Sequence, residues 1–257
     1  MTGQKAPGGT QAVIRAVGLL KTFSRDRPEQ NLADLSDAMG LNKTTTHRLL
    51  MALESEGLVA RNPVTRAFRL GPAILALGSQ ALITNDLRAV VEPELRMLAE
   101  NTGETATLEV PLEGSMLIVA EVMGSHLVTV MAELGTRWPI HATSTGKAYL
   151  AALPEEQRKA LLVSPLSRHT PSTITSVREL EGELELIREH GYATSCEELE
   201  AGASAVGVVL RNSLATPVGA ISLGGPTSRL TSQRIQSLAQ ELITVAGRLA
   251  TSLHAME

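Results

Sequence analysis

The stretch from Asn31 to Leu70, NLADLSDAMGLNKTTTHRLLMALESEGLVARNPVTRAFRL, leaves its segment few ways to fold. Leu32, Leu35 and Met39 recur at helical spacing, and Gly40 follows as a stop that tolerates a left-handed backbone. Asn42 is a good N-cap for a second helix that buries Thr46, Leu49, Leu50 and Leu53 at i, i+3, i+4 and i+7. That spacing leaves Lys43, Thr44, Thr45, His47 and Arg48 around the first turns, where short hydroxyls and cations suit base edges and phosphate oxygens. Gly57 ends the helix. Leu58-Val59-Ala60 and Ala67-Phe68-Arg69-Leu70 then read as two strands around a loop that carries Arg61 and Arg66, with Arg69 just beyond. Two short helices about a glycine turn, followed by a basic hairpin, have the layout of a winged helix-turn-helix, whose second helix enters the DNA major groove while the hairpin grips the flanking backbone. The competing reading is a three-helix packing unit with a solvated charged face.

Charge is distributed in a way that fits the first reading. Met1 to Leu70 holds ten Lys/Arg against six Asp/Glu, a net +4; the whole chain is −4, so the remainder carries −8. Positive charge gathered at one end permits local phosphate binding while the rest is repelled.

The 257 residues suit two domains, and with aromatics at 2% the core must be aliphatic. The single cysteine, Cys196, excludes an internal disulfide and fits a reducing cytoplasm. No apolar run approaches the roughly 20 residues of a membrane span, and MTGQKAPGGT reads as a flexible lead-in without a signal-peptide core. A soluble cytoplasmic protein is expected, with no membrane partner.

The periodicity predicts a helix over Gln11 to Ser24 with Val13, Ile14, Val17 and Leu20 on one side. After Gly71 comes Pro72 to Ile83, apolar on most faces, which is either an ordinary core helix or a linker helix that packs on a second subunit. A helix from Asp86 to about Thr102 precedes strands at Thr105 to Val110, Met116 to Val122 and Leu127 to Ala132. HATSTGKAYLAAL reads as a polar turn entering an Ala/Leu-rich helix. Helices follow at Glu155 to Val163 and Val177 to His190, then strands near Tyr192 to Cys196, Val206 to Leu210 and Val218 to Leu223. A last amphipathic helix spans Thr231 to about Ser252. Mixed helices and strands on a mostly antiparallel sheet make the class α+β, with a sensor domain behind the DNA-binding unit.

The order of these features resembles the isocitrate-lyase-regulator (IclR) family of bacterial transcription factors from about Gln11 to Leu249. The resemblance is carried by LADLSDAMGLNKTTTHRLLMALESEGLV, HATSTGKAYLAAL, RHTPSTITS, REHGYATSCEELEAGASAVGVVLRN and PVGAISLGGPTSR. It implies a flexible terminus (1–10), a winged helix-turn-helix (11–71), a linker helix (72–85) and a GAF-like effector-binding domain (86–257). It further implies dimers or tetramers, double-stranded operator DNA and a small metabolite as partners, and no cofactor or metal. In members that bind small oxo-acids, the backbone matching Ser144 and Thr145 faces the ligand, and positions matching Val130, Trp138 and Val208 form apolar walls. Polar groups come from positions matching Ser195, Ala205, Ser222 and Gly224, typically an acid, a cysteine and two serines; only Ser222 is kept here. Loss of the thiol and one hydroxyl widens the pocket, and Trp138, the only tryptophan, adds an aromatic wall. The expected effector is therefore larger or more aromatic than glyoxylate or pyruvate, with Ser195, Ser222 and Thr145 as polar contacts. The alternative is that Trp138 only plugs the core.

An enzyme with an accessory helical bundle is the other class to weigh. Ser144-Thr145-Gly146-Lys147 resembles the tail of a phosphate loop but lacks the upstream glycines, and Lys147 is expected to be a solvated or capping charge. Cys196 has no cationic neighbour to activate it, and the histidines are too scattered for zinc. Glu197, Glu198 and Glu200 read as a solvated acidic turn. No nucleophile–base–orienter set is visible.

Overall fold

A computed structural model describes residues 10–24, 26–83, 85–129, 133–162 and 164–253. It divides into two compact units, residues 1–84 and 85–257.

In the first unit, helix α1 (Thr10–Lys21) precedes a two-residue strand β1 (Glu29–Gln30), α2 (Leu32–Met39) and α3 (Lys43–Ser55). The hairpin β2 (Val59–Arg61) and β3 (Phe68–Leu70) follows, then α4 (Pro72–Ile83). Local chemistry sets these boundaries. Asn31 Oδ1 accepts from the amides of Ala33 and Asp34 at 2.8 and 3.0 Å, satisfying donors the first turn of α2 would otherwise leave open. Gly40 closes α2 at φ 60°, and Leu41 N–H returns to Ser36 O at 3.0 Å. Leu19, Phe23, Leu35, Leu50, Leu53, Val59 and Phe68 form the core. The three strands lie in the order β1-β3-β2, all antiparallel. Strand β1 is too short to show a period in the sequence.

Helix α1 departs from its expected face. Val13, Ile14 and Val17 are exposed, and Leu19 is the residue buried. The helix carries two apolar stripes, and the one running through Ala16, Leu19 and Leu20 towards Phe23 packs inward. The helix also stops earlier than Ser24, where Thr22 Oγ1 donates to Leu19 O at 2.7 Å. Helix α4 buries none of its residues within the described chain, and Leu75, Leu77 and Ile83 stand largely exposed.

The second unit begins with α5 (Asp86–Thr102), capped by Gly103, and strands β4 (Thr105–Leu112) and β5 (Ser115–Val122). Then come β6 (Arg137–Pro139), α6 (Ser144–Ala152), α7 (Glu155–Leu161) and α8 (Val177–His190). Strands β7 (Ala193–Cys196), β8 (Ala203–Arg211) and β9 (Pro217–Pro226) lead to α9 (Ser232–Ser252). The sheet is antiparallel throughout, in the order β6-β5-β4-β9-β8-β7. Helices α5 and α9 cover one face through Val91, Leu95, Leu238 and Leu242, packed on Leu108, Val206, Ile221 and Leu223. Helices α6 and α8 cover the other, with Leu150, Leu180 and Leu184 around Met116 and Ala220.

The strand expected over Leu127 to Ala132 is not formed at Leu127–Thr129; Val130 to Ala132 lie outside the described residues. Leu127 and Val128 are strand-like by residue type but bury nothing. The edge of β5 is taken instead by β6 and the turn before it, with Ile118 N–H donating to Thr136 O and Gly135 N–H to Ile118 O.

Gly207 fixes how closely α6 approaches the sheet. A Cβ there would lie 2.9 Å from Ser144 C and Thr145 N, closer than side-chain carbons are found to backbone atoms. Gly207→Ala should therefore lower the unfolding free energy of the second unit by about 1–3 kcal/mol, the cost of overpacking a close contact. Urea unfolding followed by Trp138 emission measures this; unchanged stability would mean that α6 is free to lift.

Candidate functional site

The first unit gathers the residues expected to meet DNA on one side of α3. Asn42 Oδ1 accepts from Thr45 N–H at 2.8 Å, and Thr46 Oγ1 donates to Asn42 O at 3.1 Å, which pins the first turn. Thr46, Leu50 and Leu53 face the core. Lys43, Thr44, His47 and Arg48 are exposed, and Thr45 is half-buried. The wing turns on Asn62, whose Oδ1 accepts from the amides of Val64 and Thr65 and whose Nδ2 donates to the Glu29 carboxylate. Arg66 sits at the turn with a left-handed φ of 62° and is exposed; Arg69 is exposed with Glu29 at 3.9 Å.

Arg61 does not join them. Its Nε donates to Glu54 Oε2 at 3.2 Å, Nη2 lies 2.9 Å from Met51 Sδ, and the guanidinium stands 4.7 Å over the Phe68 ring. Strand alternation explains this: Arg61 shares its face of β2 with buried Val59, so it points back at α3 rather than out of the wing.

In the second unit, register lines up a polar stripe on the face under α6. One cross-strand row runs Thr105, Gly224, Ala205, Ser195; the next runs Thr107, Ser222, Gly207, Ala193. Glu109 follows, beside Ala220 and Val209. Gly207 lies directly beneath Ser144 and Thr145, so this face meets the α6 N-terminus. The hydroxyls of Thr107 and Ser222 are 2.7 Å apart; Thr107 Oγ1 donates to Glu109 Oε1 at 3.1 Å and Thr145 Oγ1 to Glu109 Oε2 at 2.6 Å. Ser195 Oγ donates to Ala142 O at 3.0 Å.

Glu109 is fully buried, and burial pushes its carboxyl up to about 7 against the pull of the two threonine hydroxyls. Thr105 is almost as deeply buried, and its hydroxyl has no hydrogen-bond partner. Beside it, a Cβ on Gly224 would meet only Ala205 Cβ and Ser204 O within 4 Å, so no described atom of the helical layer comes that near. This space beside Gly224, the trough, has glycine and alanine in its cross-strand row and hydroxyls in the same and the adjoining row.

Three further expectations change here. Val208 pairs with Ile221 and joins the α5–α9 core, so it lies on the opposite face from Ser222 and not in the trough. Val130 lies outside the described residues, and half-buried Trp138 sits on edge strand β6 opposite Met116. Lys147 is not solvated: it is 0% exposed, with its ammonium 2.7 Å from Glu198 and 3.3 Å from Glu183. Glu198 is accordingly buried rather than part of a solvated turn; burial raises its pKa and Lys147 opposes the rise. Thr173 Oγ1 donates to Glu198 O at 2.6 Å, which latches the RHTPSTITS segment to this ion pair. His141, held to Ser167 O at 2.9 Å, is kept below the usual histidine range by burial.

Thr105, Thr107 and Glu109 escaped the sequence reading. Their signal is the period-2 run Thr-Ala-Thr-Leu-Glu, polar on one face and aliphatic on the other. Among the described residues no cluster could hold a metal ion, and no helix is long and apolar enough to cross a membrane.

The profile of the IclR helix-turn-helix domain matches residues 12–63, and that of the bacterial transcriptional regulator IclR C-terminal region matches residues 79–251. The chain belongs to the IclR family. The transcriptional repressor IclR of Escherichia coli K12 is 32% identical over 244 residues, covering 94% of this chain and 89% of the relative. The regulator XynR of the same organism is 31% identical, over 90% of this chain and 92% of its own. An IclR transcriptional regulator from Alicyclobacillus acidocaldarius superposes with a TM-score of 0.82 at 29% identity, over 94% of this chain and 98% of that one. An IclR homologue from Microbacterium hydrocarbonoxydans in complex with 4-hydroxybenzoate gives 0.76 at 27%, over 94% and 98%. This IclR-family protein is thus a DNA-binding transcriptional regulator, and its relatives are named as repressors and regulators, not as enzymes.

The buried carboxyl gives the second unit a pH signature. Glu109 titrates near 7 when folded against an ordinary value of 4.5, so between those values the folded state holds more protons than the unfolded one. Unfolding free energy should fall by about 3 kcal/mol as pH rises through that window, then level off. Glu109→Gln should remove this component; urea unfolding of both proteins from pH 4.5 to 8 would disprove the assignment if the two curves stayed parallel.

Proposed function

We propose that two winged helices of a homo-oligomer occupy half-sites of a palindromic operator, and that a small organic acid bound in the trough changes their affinity for it. Residues 11–71 act as the DNA-binding unit, 72–85 as a linker helix that sets half-site separation, and 86–257 as the effector-binding domain. The exposed apolar side chains of α4, which find no cover within the described chain, support a role in pairing subunits. Ligand binding then shifts DNA affinity by linkage between two arrangements of the assembly.

The observation that carries the effector reading is the buried, unpartnered Thr105 hydroxyl beside the unfilled space at Gly224. Such a group costs stability unless a ligand or water satisfies it. Ser144, Thr145, Ser195 and Ser222 lie along the same stripe, and Ala205 and Gly224 enlarge the space beside it, while Trp138, in register with Met116 and Pro111, stands at the far edge of the sheet from Thr105 and Gly224. An effector larger or more aromatic than glyoxylate or pyruvate fits that combination, and a relative of the same fold carries 4-hydroxybenzoate. The regulated genes are proposed to be a neighbouring catabolic operon.

Lys43, Thr44, Thr45, His47 and Arg48 are assigned to the groove, and Arg66 and Arg69 to phosphates. Arg48→Ala should cost about 1–3 kcal/mol of operator affinity and relax specificity. Arg66→Ala should weaken binding to all sequences and flatten the salt dependence. Mobility shifts on the gene's own upstream region test both, and parent-like binding by both variants refutes the groove assignment. Trp138 emission during titration with 4-hydroxybenzoate, benzoate, glyoxylate and pyruvate tests the effector. Saturable micromolar response to glyoxylate with none to either ring compound would refute the aromatic preference.

A further inference from the structure

The hydroxyls around the trough are not independent, and counting their protons has consequences for the ligand. Each hydroxyl has one proton to donate. While Glu109 is ionised it can only accept, so Thr145 gives its proton to Oε2 and Thr107 gives its proton to Oε1. The 2.7 Å contact between Thr107 and Ser222 must then be made with the Ser222 proton, because that of Thr107 is already used. Of the hydroxyls around the trough, Ser222 and Thr145 thus turn their protons inward, and Ser195 gives its own to Ala142 O, which leaves Thr105 with a free hydroxyl donor. A carboxylate, which only accepts, then finds a hydroxyl donor at Thr105 and lone pairs at Ser222 and Thr145.

Protonation of Glu109 reverses the chain. A proton on Oε1 is donated to Thr107, Thr107 donates to Ser222, and the Ser222 proton is released towards the trough. A proton on Oε2 frees that of Thr145, which has Thr143 Oγ1 at 3.4 Å as its other acceptor, so Ser222 is the hydroxyl whose polarity towards the trough changes. Resting on the reading of the trough as the effector site, we propose that Glu109 sets the hydrogen-bond polarity of this site, so that an organic-acid effector is bound together with one proton from solvent, which Glu109 keeps in the complex. The carboxyl is a specificity-determining group that acts through its neighbours, not a ligand contact.

The surroundings place few charges near this carboxyl. Opposite it, β5 presents Ile118, with Glu121 across from Thr107. Strands β8 and β9 contribute Gly207, Ala220 and Ser222, none of which ionises. Helix α6 contributes Lys147, engaged by Glu198 and by Glu183 of α8, and the segment before it contributes His141, bound to Ser167 O. Burial and the two threonines govern the carboxyl, which titrates at about 7, inside the range where a cell's pH can move it.

Calorimetry of the full-length protein with 4-hydroxybenzoate, benzoate, glyoxylate and pyruvate, from pH 5.5 to 8 in two buffers of different ionisation heat, measures affinity and proton uptake together. For any acid that binds, uptake should approach one proton per site at pH 8, and Kd should rise about tenfold per pH unit above 7 and level off below 6. In Glu109→Gln the amide should leave affinity close to the parent's value at pH 6, with no pH slope and no proton uptake. Binding by the parent without proton uptake, or an undiminished slope in the variant, overturns the proposal while leaving the effector site standing. If none of the four acids binds the parent at pH 6, the acid-effector reading fails and this inference fails with it.

Discussion

A lysine with none of its surface exposed holds the second unit in order. The Lys147 ammonium reaches Glu198 behind β7 and Glu183 on α8, so one charge joins two helices and the turn between two strands. Burying an ion pair brings little net stability, but leaving one member unpaired in the interior would cost several kcal/mol. The arrangement therefore allows one position for α6 relative to the strands. From that position follow the close passage of Ser144 and Thr145 over Gly207 and the reach of Thr145 to Glu109. The geometry of the polar stripe descends from the placement of this one ammonium.

The sheet separates two kinds of interior. Under α5 and α9 its residues are aliphatic and closely packed, as a scaffold requires. Under α6 the same strands present Thr105, Thr107, Glu109, Ser195 and Ser222, with small residues between them. Alternation along each strand keeps these functions apart without extra chain, because neighbouring residues serve opposite faces. Substitutions on the stripe can leave the aliphatic side untouched.

Much of the architecture was legible because local chemistry decided it. Asn31, Gly40 and Asn42 punctuate α2 and α3 through bonds to their own neighbours, and Ser176 and Gly191 bound α8 in the same way. Most places where reading failed depend on distant partners. Arg61 looked like a wing cation because its phenylalanine and glutamate lie on other elements. Lys147 and Glu198 looked solvated because their pairing spans fifty-one positions. Leu127 and Val128 are strand-like by residue type but stand exposed, and the edge of β5 is taken by β6. Val208 was misplaced by resemblance although its own strand parity assigns it to the other face, and Glu109 was passed over because a single acid among apolar residues announces nothing until its register is known.

The backward fold of Arg61 bears on how the first unit meets a duplex. With its guanidinium clamped over Phe68 and tied to Glu54, the hairpin is braced against the same helix that presents Arg48 on its exposed surface. A wing anchored this way arrives pre-set, and the disorder it would otherwise surrender on contact has already been given up during folding. Helix and hairpin then behave as one rigid calliper, so the separation of their exposed cations is fixed by the fold itself.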